Sequence, residues 1–92
     1  MKKKLSIIKE HIKEGKLDTA ISELTEYIQS NVTDDDEPYY LLGNAYRKQG
    51  NWQLALNNYL EAIERNPESP AVQAHQMVMD ILNFYNKDMY NQ

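Results

Sequence analysis

The sequence predicts an all-α chain of about five antiparallel helices, and three observations carry that expectation. Only three Gly and three Pro occur in 92 residues, which leaves little material for turns. Apolar residues recur at i, i+3/i+4 and i+7, the spacing of one helix face. One segment is also written twice, at a separation of 35 residues. An apolar share of 41% with 26% charged residues suits a soluble globular domain and does not suit a disordered tail. At this length a single domain is expected, burying about 60% of the surface its unfolded chain exposes.

The first helix is expected over 3–14, where Leu5, Ile8 and Ile12 form the apolar stripe. Gly15 follows at a place where a helix should stop, because glycine readily takes the left-handed conformation that closes one. The second helix, 18–31, carries Leu17, Ile21, Leu24 and Ile28, with Asp18 as a candidate cap. The acidic knot Asp34-Asp35-Asp36-Glu37 then reads as a solvated turn with helix-capping carboxylates. A third helix over 37–49 and a fourth over 52–65 flank Gly50. The two copies align through Gly15 and Gly50, Leu17 and Trp52, Ala20 and Ala55, Leu24 and Tyr59, Tyr27 and Ala62, Ile28 and Ile63. Upstream, Ile7 answers Leu42 and His11 answers Tyr46. Asn66-Pro67 ends the fourth helix, since proline cannot continue it. Ser69-Pro70 opens a fifth over 70–86, with Ser69 as cap and Pro70 at the first helical position.

Residues 36–69 resemble a tetratricopeptide repeat, whose pattern reads W-x2-L-G-x2-Y…A-x3-F…A…P. Tyr39 takes the first aromatic place, followed by Leu42-Gly43, Tyr46, Ala55, Tyr59, Ala62 and Pro67. Residues 1–35 form a degenerate copy that keeps Ala20, Leu24 and the Gly turn. It has Ile8 where the small Gly belongs and Val32 near the Pro place. Residues 70–92 supply a capping helix and tail, with Ala74, Met77, Val78 and Ile81 nearest the signature positions. The resemblance implies a short right-handed α–α superhelix. Gly43, Ala55 and Ala62 would let helices approach closely, with Tyr39, Tyr46 and Tyr59 filling the space between them. Trp52 is expected to pack.

No enzyme signature is present, and no cofactor is expected. Cysteine is absent, which excludes disulfides, thiolate nucleophiles and Cys-based zinc sites. His11 and His75 are single, and the neighbouring Glu10, Glu14, Lys9 and Lys13 read as a solvated helix face pairing at i, i+4. There is no phosphate-binding Gly loop and no nucleophile elbow. A net charge of −4 argues against a nucleic-acid partner. The start, Met1-Lys2-Lys3-Lys4-Leu5-Ser6-Ile7-Ile8, resembles a secretory signal, but Lys9, Glu10 and Lys13 break the apolar run. No segment approaches the roughly 20 apolar residues of a membrane span. A cytoplasmic protein is the expectation.

Function is therefore expected on surfaces. The resemblance implies a protein-binding scaffold whose concave groove is lined by the first helix of each pair and holds a peptide or partner segment. Carried over, the groove positions are Leu5, Lys9, Ile12 and Lys13, then Tyr40, Asn44, Arg47 and Lys48, then His75, Met79 and Leu82. The face is basic at one end and apolar at the other, which favours an acidic partner segment or a terminal carboxylate. Some members of the family grip a chaperone's C-terminal carboxylate through a Lys, Asn and Arg set. Of that set only Asn44 stands at a matching position, while Leu5, Lys9, His75 and Met79 depart from it.

The C-terminal helix suggests a second possibility, self-association as a homodimer. Ala74, Met77, Val78, Ile81, Leu82 and Tyr85 make a stripe sufficient to dock on the second copy. Val72, Met79, Phe84, Met89 and Tyr90 lie outside that stripe and are also apolar or aromatic, and Asp80 is the one charge between Pro70 and Asn86. Exposed apolar patches usually mark an interface.

Overall fold

A computed structural model describes residues 2–30 and 35–85. The positions Val32, Asp34, Met89 and Tyr90, and the side chains of Lys2 and Tyr85, lie outside what it describes. Five helices follow one another: α1 (Lys2–Lys13), α2 (Leu17–Ser30), α3 (Glu37–Gln49), α4 (Trp52–Arg65) and α5 (Ala71–Tyr85). Each bounds its expected range to within one or two residues. Short connections turn each helix back along its predecessor. Each touches the next, and α1 also touches α3, as α3 touches α5. Odd-numbered helices thus share one side of a short right-handed superhelix.

The repeat is visible at the level of single hydrogen bonds. Gly15 N–H donates to the Ile12 carbonyl (3.1 Å) and Lys16 N–H to that of His11 (2.8 Å). Thirty-five residues on, Gly50 N–H donates to Arg47 (2.9 Å) and Asn51 N–H to Tyr46 (2.9 Å). Both glycines are left-handed, with φ of 84° and 83°, a conformation that carries a penalty for any side chain. Helix α4 gains a true cap, since the Asn51 side chain accepts from Leu54 N–H at 3.3 Å.

Two of the expected caps differ. Asp18 does not cap α2, which already begins at Leu17; its carboxylate instead accepts from Gln49 Nε2 at 2.8 Å, tying the first copy to α3. Asp36 occupies the cap position of α3 without a side-chain capping bond, and its backbone carbonyl receives Tyr39 and Tyr40 instead. Before α5, Ser69 does cap: its Oγ accepts from Ala71 N–H at 3.0 Å, and the helix starts one residue beyond Pro70.

Two apolar clusters form the core. Leu5, Ile8, Ile12, Ala20, Leu24, Tyr27, Leu41, Leu42 and Ala45 join α1, α2 and α3. Ala55, Tyr59, Ala62, Ala71, Ala74 and Val78 join α4 to α5, with Tyr39 and Tyr46 of α3 and Trp52 of α4 packed on them. Gly43 is buried, and a Cβ added there would overlap the ring of Tyr59. The first copy solves the same problem differently. Ile8 stands in place of Gly43 and Leu24 in place of Tyr59, and both are fully buried. Bulk has moved from one helix to its neighbour while the total is kept roughly constant, the kind of exchange cores tolerate.

The docking stripe of α5 matches the expected one only in part. Ala71, Ala74 and Val78 are buried and Leu82 packs on them, whereas Met77 is 42% exposed. Two alanines and a valine let α5 lie close against α4, so small side chains decide which face turns inward.

Candidate functional site

An open cleft of about 360 Å³ lies between α1 and α3. Lys9, Glu10, Ile12 and Lys13 line it from α1, and Tyr40, Leu41, Asn44, Arg47 and Lys48 from α3. Seven of the eleven expected groove positions therefore meet in one place: Lys9, Ile12, Lys13, Tyr40, Asn44, Arg47 and Lys48. Leu5 does not join them: it is 1% exposed and belongs to the core. Ile12, also largely buried, reaches the floor of the cleft alongside Leu41.

Four cations face one carboxylate, Glu10, across this cleft, in a protein of net charge −4. They are not equally available. Lys9 Nζ lies 2.9 Å from Glu37 and is engaged with it. Lys13 approaches Glu10 at 4.0 Å with both side chains well exposed, a pair that contributes little. Lys48 is exposed at the rim. Arg47 is half-buried, and its Nε is buried without a hydrogen-bond partner. A guanidinium already partly stripped of water gains more from an incoming carboxylate than a fully hydrated ammonium does.

Asn44 has a structural duty as well as a place in the cleft. Its Oδ1 accepts from the Tyr59 hydroxyl at 2.6 Å, which anchors α4 to the cleft wall. Burial of Tyr59 raises its phenol pKa above the ordinary 10.0, and the positive charge of Arg47 works in the opposite direction. Because the raised value favours the protonated phenol in the fold, the stability Tyr59 contributes is complete below pH 10.0 and is lost as pH rises through the higher folded value. Tyr59→Phe should cost about 1 kcal/mol near neutrality through the lost hydrogen bond. Its deficit relative to the native protein should narrow above pH 10, as urea unfolding across a pH series would show.

Elsewhere the titratable side chains pair locally. His11 Nδ1 lies 2.7 Å from Glu23 across the α1–α2 contact. Glu14 pairs with Lys16 (3.6 Å), so the expected i, i+4 pairing of the α1 face is replaced by one i+3 pair and partners on other segments. Among the described residues no three metal-ligating side chains come together. Among them, too, no helix is long and apolar enough to cross a membrane.

A second concavity lies at the other end. Trp52, Met77, Asp80, Ile81 and Phe84 surround an open, largely apolar hollow of about 470 Å³. Phe84 is 76% exposed there. Val72 lines a different surface depression beside Pro67 and Pro70, and the half-buried Met79 lines neither, so the side chains expected to form one self-association face do not share one hollow. The gathering of Trp52 with α5 was not anticipated, although the position of Trp52 just past the Gly50 turn placed it at that end of the molecule. Leu82, expected in the groove, is packed on the core.

The family model for the tetratricopeptide repeat matches residues 37–69. The solution NMR structure of the Bacteroides fragilis protein BF1650 is 62% identical and superimposes with a TM-score of 0.85, over 96% of this chain and 89% of that one. No curated protein matches.

Proposed function

Since the chain belongs to the tetratricopeptide repeat family, whose repeats generally serve as protein–protein interaction modules, we propose that it is a non-catalytic cytoplasmic scaffold whose α1–α3 cleft holds an acidic segment of a partner protein. The supporting observation is the convergence of Lys13, Arg47 and Lys48 on one apolar-floored cleft in an otherwise acidic molecule. Opposite charge steers and orients such a segment, while Tyr40, Ile12 and Leu41 offer apolar contact beneath it. A labelled peptide of alternating glutamate and glycine should bind saturably at low salt. Its affinity should fall about tenfold or more as ionic strength rises past the range where exposed charges are screened. Fluorescence anisotropy measures this directly, and salt-independent or unsaturable binding would reject the proposal.

A second possibility, a homodimer through α5, draws on the exposure of Val72 (42%) and Phe84 (76%). It expects sedimentation of a dimer at micromolar concentration, converted by Met79→Glu with Phe84→Glu into a folded monomer. A native protein that sediments as a monomer at high concentration would dismiss it.

A further inference from the structure

An asparagine side chain carries an acceptor at one end of its amide and donors at the other. Which end is left for the cleft decides whether Asn44 assists or opposes an anion there. Its Oδ1 is occupied, since the Tyr59 hydroxyl donates to it at 2.6 Å. Arg47 gives a side-chain hydrogen bond to the oxygen of that hydroxyl, so the phenol's one hydrogen is directed at Asn44. The bonds run one way, from Arg47 through Tyr59 to Asn44. They leave the Nδ2 end of the amide without a partner among the described residues. Asn44 and Arg47 stand three residues apart on α3, hence on one helix face, and both line the cleft. Tyr59 is itself held in place. It is fully buried, its ring lies 6.1 Å from that of Tyr40, and it fills the space that Gly43 leaves open.

We propose that Tyr59 is a positioning residue for recognition in the α1–α3 cleft: by holding Oδ1 it presents Nδ2 of Asn44 to the partner segment, beside the donors of Arg47 and Lys48, and so selects a carboxylate oxygen at that point. The assignment rests on the cleft being the binding surface, as proposed above. Two contributions to affinity are then distinct. The cations attract an acidic segment through charge, which salt screens. The oriented amide is neutral and acts only on contact, so its contribution persists at higher ionic strength. An amide free to turn would have to be ordered by the ligand, a cost of binding that Tyr59 removes in advance.

The labelled glutamate–glycine peptide tests the assignment by anisotropy on the native chain, on Tyr59→Phe, on Asn44→Ala and on the two changes combined. Each is measured at a temperature where its melting curve shows it folded. Tyr59→Phe should weaken binding about fivefold, by a similar factor at low and moderate salt. Asn44→Ala should weaken it about tenfold, and adding Tyr59→Phe should weaken it no further, because Tyr59 acts through the amide. Val78→Ala, in the core between α4 and α5 and outside the cleft, is the control for lost stability. It should lower the melting temperature and leave the affinity unchanged. In the isotope-labelled native chain, observed by NMR, the Asn44 side-chain amide resonances should shift as the peptide saturates, and in Tyr59→Phe that shift should shrink. Native affinity in Tyr59→Phe would overturn the positioning role and leave the cleft standing. So would a loss of the same size in the Asn44→Ala background, or an equal loss in Val78→Ala. Asn44 amide resonances that stay in place while the peptide binds would also overturn it. A native chain that binds no peptide would remove the cleft, and the positioning role with it.

Discussion

Replacing Gly43 with leucine should lower the melting temperature by about 10 °C or more, corresponding to roughly 2–3 kcal/mol in a domain of this size. Even the first added carbon would overlap the Tyr59 ring. That ring has no easy escape, because it is fully buried and its hydroxyl is held by Asn44. The degenerate first copy shows which compensation should work. There, isoleucine and leucine occupy the two corresponding places and both are fully buried. Gly43→Ile combined with Tyr59→Leu should therefore recover part of the stability that Gly43→Ile loses alone. A double-mutant cycle by thermal or urea unfolding measures the coupling, which for such a contacting pair is expected at about 1 kcal/mol or more. Additive single effects would show that the two positions do not share one space.

Lys13→Glu with Lys48→Glu should weaken binding of the acidic peptide about 100-fold at low salt while leaving the helical signal and the melting temperature nearly unchanged. Each change replaces an attraction by a repulsion of similar size, and two such reversals amount to roughly 2–3 kcal/mol. The fold should not notice, since Lys13 makes only a loose pair with Glu10 and Lys48 lies at the rim. Lys9→Glu is the informative contrast. That side chain already holds Glu37 at 2.9 Å, so reversing it should affect the ligand less and the α1–α3 contact more. Anisotropy titrations of the three variants, read beside their melting curves, separate the two effects. Unchanged affinity in the double variant would remove the cleft from consideration.

Most of the architecture was legible in the residues because the repeat marks its own joints. Gly15 and Gly50 announce left-handed turns, and Ala20, Ala55 and Ala62 announce close helix contacts; each occupies the place its chemistry suggests. Seven of the nine residues lining the cleft were also recoverable, as they stand at equivalent positions on α1 and α3. The third odd-numbered helix was harder. It lacks a following partner, and it carries apolar side chains on more than one face, so periodicity alone does not say which face turns inward. Side-chain volume makes that choice: Ala71 and Ala74 permit an approach that Met77 would prevent. Asp18 was misread for a related reason. A carboxylate near a helix start suits a cap, but Gln49 from α3 reaches it through the fold, over a separation of 31 residues.

Among the described residues, helix contacts run only between near neighbours: α1 reaches α2 and α3, α5 reaches α4 and α3, and the two outer helices do not meet. Cooperativity in such a chain is transmitted link by link, so the ends are able to open locally while the α3–α4 centre stays closed. Helix α5 is the weaker end, seated mainly by two alanines and a valine. A segment held in the α1–α3 cleft would clamp α1 to the centre and leave α5 to open on its own. Amide exchange in α1 would then slow with occupancy of the cleft while exchange in α5 would not, so the far end of the chain serves as an internal reference for binding.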